Sequence, residues 1–136
     1  MTTAQNKATV TRMNKEFIEG GRVETAYEIL APDFINHTAP PGSPQGPEGV
    51  IYFFNHFLKP AFPDLKVEIH DMMADDDKVT TRKSFHATHQ GEFFGVPPTQ
   101  KPVVMDVIDI IQLREGKFVA HWGILDMQNV MAQITS

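Results

Sequence analysis

"KPVVMDVIDIIQLREGKFVAHWGILD" (residues 101–126) is the stretch on which the fold turns. Residues 101–113 read as a strand. Val103, Val107 and Ile111 share one side and Ile108 and Ile110 the other, so neither face of this strand is fully wetted. "REG" (114–116) is a tight hairpin turn in which Gly116 can take positive φ. "KFVAHWGILD" (117–126) is the return strand. Plain alternation puts Phe118, Ala120, Trp122, Ile124 and Asp126 on one side of it, and Val119, His121, Gly123 and Leu125 on the other.

Upstream, the same period continues. "LKVEIHDMMA" (65–74) alternates Leu65, Val67 and Ile69 with Lys66, Glu68 and His70, the pattern of a half-buried strand. "DDD" (75–77) is a turn, "KVTTRKSFHATHQG" (78–91) a long second strand, and "EFFGVPPTQ" (92–100) a loop carrying Phe93 and Phe94. Nearer the N-terminus the period changes to that of helices. Val10, Met13 and Phe17 recur at helical spacing within residues 4–19, and Gly20-Gly21 supplies a C-terminal cap. Val23, Ala26, Tyr27 and Leu30 form a second stripe, which Pro32 stops near Ala31. "INHTAPPGSPQGPEG" (35–49) is a flap-like loop. Pro47 and Glu48 open a third helix with Val50, Phe53, Phe54 and Phe57 on its apolar face. "MQNVMAQI" after Asp126 reads as a short helical tail. Helices first and antiparallel strands second predict an α+β arrangement, a curved sheet with helices on one face.

The 136 residues fit a single domain, residues 1–136. A hydrophobic share of 41% and ten phenylalanines suit an aromatic-lined core. Net charge −5 argues against nucleic acid, which needs a basic surface. With no cysteine there are no disulfides and no thiol chemistry. "MTTAQNKATV" lacks the apolar core of a signal peptide, and no apolar run approaches the roughly 20 residues of a membrane span. A cytoplasmic protein without a membrane partner is expected.

Several side chains are candidates for chemistry. Asp126 stands beyond an apolar run, where desolvation raises a carboxyl pKa into the range useful for acid/base catalysis. It also precedes the helical tail, where aspartate is a favoured N-cap, and the two roles are compatible. Asn36 and His37 in "FINHT" stand at the mouth of the flap, with an amide and an imidazole able to bond a substrate carbonyl. Asparagine also bonds its own loop backbone, which is the plainer reading. His86 and His89 lie three apart, a spacing that puts them on opposite faces of a strand, so with His121 they make a poor metal site and no metal is expected. His89 suits a pocket better, whereas His56 and His70 read as surface residues. On the third strand Asp106 and Gln112 share a face and Asp109 takes the other; each fits pocket lining or a solvent face equally. No phosphate-binding glycine loop and no GxSxG nucleophile setting occur.

The run from "FINHTAPPG" through "FPDL", "THQGEFFGVPPT" and "GKFVAHWGILD" resembles the SnoaL-like polyketide cyclases, also called ester cyclases, of the nuclear-transport-factor-two-like superfamily. The resemblance spans nearly the whole chain. It implies a cone-shaped α+β barrel whose inner face lines an apolar pocket closed by the N-terminal helices. It implies aldol ring closure without metal or cofactor, with Asp126 of the WxxxD spacing as general acid/base and Asn36 in the pocket. A family histidine falls near Gln112, which orients a carbonyl but transfers no proton; His37 or His89 would then compensate. The expected protein is a cofactor-independent acid/base enzyme acting on a small apolar carbonyl-bearing molecule. Asp126, Asn36 and His37 would be catalytic, with His89, Gln112, Trp122, Phe54 and Phe94 around the substrate. The alternatives are a non-catalytic binder of a hydrophobic molecule and a hydrolase or isomerase on the same fold. Family resemblance also implies a homodimer formed through the outer face of the sheet.

Overall fold

The computed structural model describes all 136 residues. Helix α1 (Thr3–Arg12) starts from a capping box in which the Thr2 hydroxyl and the Gln5 side chain satisfy each other's backbone N–H groups. The helix continues through Met13–Glu19 in wider turns, burying Val10, Met13 and Phe17 as their spacing predicts. Gly21, at φ +74°, ends it, with its N–H on Phe17 O. Helix α2 (Val23–Ile29) follows.

Here the structure departs from the sequence reading. The second helix stops at Ile29, and Leu30–Asn36 forms a strand, β1. Pro32 explains how an element with this sequence can be a strand: β1 lies at the sheet edge, where a missing N–H is tolerated. Its burial does not alternate, so it carries no period-two signature.

Helix α3 (Gly46–Tyr52), with Pro47 in its first turn, runs on through Phe53–Leu58. The remaining strands are β2 (Lys66–Asp75), β3 (Lys78–Thr88), β4 (Pro102–Arg114) and β5 (Lys117–Leu125), and helix α4 (Met127–Thr135) closes the chain. The sheet order is β1-β5-β4-β3-β2, with β1 parallel to β5 and every other pair antiparallel. The sheet is mixed and open, an α+β cone of five strands where the sequence pattern had indicated four.

One face of the sheet carries Val67, Val79, Phe85, Val103, Met105 and Ile111 into a core shared with Val10, Phe17, Leu58, Phe62 and Ile134 of the helical segments. This is the inner face. The outer face carries no helix over Ile108, Ile110 and Ile124, which stay exposed.

A bulge sets the faces of β5. Phe118 pairs with Leu113, but Gln112 pairs with Ala120, so Val119 has no opposite number. The extra residue reverses the alternation beyond it. His121, Gly123 and Leu125 stand opposite Ile111, Asp109 and Val107 on the inner face, while Trp122 and Ile124 stand opposite Ile110 and Ile108 on the outer one. The predicted single face of Phe118, Ala120, Trp122, Ile124 and Asp126 is thus broken after its first member.

Candidate functional site

A chain of polar side chains crosses the otherwise apolar inner face. Lys83 on β3 donates to Asn14 Oδ1 of α1 at 2.7 Å and pairs with Asp109 Oδ2 at 3.1 Å. Both members are buried, with side chains 4% and 7% exposed. The Lys83 ammonium also lies 5.4 Å from the centre of the Phe85 ring. Asp109 Oδ2 is in turn 3.6 Å from His121 Nε2. On its other side His121 Nδ1 meets Asn36 Oδ1 at 2.9 Å. The same Asn36 oxygen accepts from the Thr38 N–H and hydroxyl, each at 3.2 Å. Thr38 Oγ1 accepts the Gly123 N–H at 3.0 Å. Four strands and a helix therefore converge through Asn14, Lys83, Asp109, His121 and Asn36.

The electrostatics follow from those neighbours. Burial pushes the Asp109 carboxyl up, but the Lys83 charge and the His121 side chain outweigh it and hold the group below its ordinary 3.8. Asp109 is therefore a carboxylate at neutral pH. Its Oδ1 atom is buried and has no hydrogen-bond partner in the chain. His121 keeps 24% of its side-chain surface, more than Asp109 or Lys83. The Asn36 amide nitrogen makes no hydrogen bond within the chain and remains a spare donor.

Apolar surface adjoins this cluster. Phe54 packs edge-on against Phe17, Phe53 and Phe85, and so reaches the ring beneath Lys83. Val50, Phe53, Phe54 and Phe57 of the third helical segment, with Leu125 and Met127, pack on the core while keeping part of their surface.

Of the residues singled out in the sequence, Asn36 is built into the cluster and Phe54 into the apolar layer next to it. Asp109 and His121, also named there, lie in the cluster as well, and the remaining candidates lie elsewhere. Asp126 ends β5, where its N–H donates to Asp106 O and its carboxylate accepts from Asn129 N at 3.1 Å. It is the N-cap of α4. It also lines a hollow of about 620 Å³ with Ile108, Ile110, Trp122 and Ile124 on the helix-free outer face. Lys83, Asp109 and Gly123 also contribute to the lining of this hollow. His37 stacks on Trp122 on that outer side, with ring centres 4.6 Å apart and planes 4° apart. Gln112 donates to Asp77 Oδ2 at 2.8 Å beside the β2–β3 turn, so it orients a turn aspartate where a pocket carbonyl had been expected. His89 is fully buried, and its Nδ1 accepts the Thr99 N–H at 3.2 Å, which ties down the loop after β3. Phe94, at φ +47° and 59% exposed, packs edge-on against Phe57 at the protein surface. His86 pairs with Glu68 on the outer face, and no three His, Asp or Glu side chains converge as metal ligands.

The sequence reading missed His121, Asp109 and Lys83 as a group. It placed Asp109 on the opposite side of the strand from Asp106 and Gln112, which is where it lies. The bulge concealed that His121 shares that side.

A five-stranded cone with helices over one face and a polar cluster set into its apolar inner wall defines a class of small α+β pocket proteins. The chain belongs to the SnoaL-like polyketide cyclase family, whose model matches residues 8–134. Among solved structures it is similar to IdmH of Streptomyces antibioticus, assigned as a polyketide cyclase. The two are 31% identical over 97% of this chain and 99% of that one, with a TM-score of 0.87. A protein of Jannaschia sp. CCS1 assigned as a SnoaL-like polyketide cyclase is 27% identical over 98% and 94% of the two chains, with a TM-score of 0.85. AclR of Streptomyces galilaeus, assigned as a hydroxylase, is 26% identical over 98% and 82%, with a TM-score of 0.85. No curated protein sequence matches the chain.

Proposed function

We propose that this protein is a cofactor-independent acid/base enzyme that removes a proton α to a carbonyl in a small apolar substrate and closes a ring by aldol addition. The observation that carries this reading is the contact of a partly open imidazole, His121, with a buried carboxylate, Asp109, in an apolar wall. The His121 imidazole takes the α-proton, and the electron pair moves onto the carbonyl oxygen as an enolate. The enolate carbon then attacks a second carbonyl of the same molecule, and the imidazolium returns its proton to the new alkoxide. Asp109 offsets the transient positive charge on the ring. The spare Asn36 N–H bonds face the developing oxyanion, a contribution of about 2.7–4 kcal/mol for a well-placed donor. The expected substrate remains a small carbonyl-bearing molecule; the half-buried phenylalanines of the third helical segment would take its apolar body.

The test is deuterium wash-in at the α-carbon of small apolar β-dicarbonyl compounds, followed by proton NMR in deuterated buffer. His121→Asn and Asp109→Asn should each lower the rate by about 10²-fold or more, the usual contribution of a positioned acid/base. Asp126→Asn should stay within a few-fold of wild type. No exchange above buffer, or exchange unchanged in His121→Asn, would overturn the proposal.

A non-catalytic binder is the second reading. It is favoured by the fact that both nitrogens of His121 already face groups of the chain. Saturable binding of the same compounds without isotope exchange would select it. We also propose a homodimer through the outer face of the sheet, on the exposed isoleucines there.

A further inference from the structure

We infer that Phe94 is a specificity-determining residue: it ends a row of phenylalanine rings that starts at Lys83, and it holds the apolar end of a substrate whose carbonyls lie at the polar cluster. The backbone supplies the first observation. Phe93 and Val96 exchange both backbone hydrogen bonds, at 3.0 and 2.9 Å, and so close a two-residue hairpin turn. Its central residues are Phe94 at φ +47° and Gly95 at φ +78°. Positive φ at both central positions is the type I′ pattern, which asparagine, aspartate and glycine fill readily. Gly95 meets that demand. A phenylalanine in the left-handed region is strained, because its Cβ crowds the following carbonyl. Phe94 gains little burial in return, being 59% exposed. Strain held on a surface aromatic points to a use for the side chain.

The second observation is where the ring stands. Phe94 packs edge-on against Phe57, with centres 5.3 Å apart. Phe57 lies 5.3 Å from Phe53, Phe53 5.2 Å from Phe54, and Phe54 6.4 Å from Phe85, ring centre to ring centre. Phe85 is the ring beneath the Lys83 ammonium. A continuous row of rings thus joins the strained turn to the polar cluster. Phe53, Phe54 and Phe57 are only half-buried, so the row keeps apolar surface along its length. The turn stands on a fixed stem: Phe93 is buried, His89 N–H donates to Lys101 O, and the Gln90 and Gly91 N–H groups meet Ala61 O. A row of rings selects by apolar surface and length, since aromatic faces and edges make no directional polar demand on an alkyl or aryl group. A short substrate fills only the end near Lys83, whereas one with an extended apolar end reaches Phe94. That the reacting carbonyls lie at the cluster rests on the proposed function above; the affinity of the row for an apolar end does not.

Two β-diketones that share one dicarbonyl and differ in their ends, acetylacetone and dicinnamoylmethane, test this in titrations followed by protein NMR. Wild type should bind dicinnamoylmethane, with its long flat aryl ends, more tightly than acetylacetone. Phe94→Asn supplies a residue the turn prefers and removes the ring. It should weaken dicinnamoylmethane binding about three- to tenfold, the worth of one aromatic contact, and leave acetylacetone unchanged. Its melting temperature should equal or exceed that of wild type, because asparagine tolerates the left-handed region. Phe94→Tyr keeps the ring and should bind both compounds as wild type does. Equal affinity of wild type for the two compounds would overturn the inference, as would undiminished dicinnamoylmethane binding by Phe94→Asn. A lower melting temperature in Phe94→Asn would also overturn it, by assigning the ring to packing. Because the readout is affinity, a lost preference with isotope exchange intact counts against this inference alone. The expected preference without exchange counts against the proposed reaction alone.

Discussion

An ammonium and a carboxylate 3.1 Å apart, each under a tenth exposed, make Lys83 and Asp109 the costliest pair in the molecule to split. Lys83→Met leaves Asp109 as an unpaired buried charge, and breaking a buried pair from one side costs about 3–5 kcal/mol. Lys83→Met with Asp109→Leu should recover most of that loss, since replacing both partners with apolar groups is often neutral. Urea unfolding of the two variants checks this; a Lys83→Met protein as stable as wild type would mean the pair is not buried in solution. The same pair sets a pH dependence. Folding holds the Asp109 pKa below its ordinary 3.8, so the group's contribution is complete above that value and is lost as pH falls through the lower folded value. Stability measured from pH 5 downwards should therefore decline more steeply in wild type than in Asp109→Asn. Equal slopes would show that another carboxylate governs the acid limb. Neither residue announces this role in the sequence. Lys83 sits among Thr80, Thr81, Arg82 and Ser84, a polar run in which a buried lysine looks like any surface one.

Elements show more plainly what the sequence determines. The loop from His89 to Lys101 is pinned at both ends: His89 exchanges backbone hydrogen bonds with Lys101 and Gln100, and the N–H groups of Gln90 and Gly91 meet Ala61 O. A Cβ on Gly91 would lie 2.1 Å from Pro60 O, a backbone atom with little room to retreat. Gly91→Ala should cost about 1–3 kcal/mol, the usual range for overpacking, and a melting temperature within error of wild type would contradict the contact. Local signals of this kind were legible. Gly20-Gly21 ended the first helix, Pro47 opened the third, and β2, β3, β4 and β5 were all read as strands. Two features were not. The β1 strand takes its partner from a strand some 85 residues later, and no local pattern records a pairing. The Val119 bulge is a property of two strands in register, so reading β5 alone put Trp122 and His121 on exchanged faces. That single residue turns His121 to the side of Asp109 and Trp122 to the side of Ile110.

At the scale of the whole molecule, the two faces of the sheet differ. The inner face is covered by helices and carries the polar cluster. The outer face leaves Ile124 75% exposed, Ile108 54% and Val104 41%, with Ile110 and Trp122 between them. Around this apolar centre lie Glu68, His86, Asp71 and Arg82, which pair among themselves. An apolar centre within a charged rim is the usual anatomy of a protein interface. A two-fold dimer would set this face against its own copy. We therefore expect a dimer in size-exclusion chromatography with light scattering at micromolar concentration. Ile124→Glu and Ile108→Lys each place a charge in the apolar centre and should give monomers that remain folded, since neither side chain belongs to the core. His121 and Asp109 point to the opposite side of the sheet, so those monomers should keep the isotope exchange proposed for the enzyme. A wild-type monomer would remove the dimer, whereas monomeric variants that lose exchange would show that the two faces are coupled through β4 and β5.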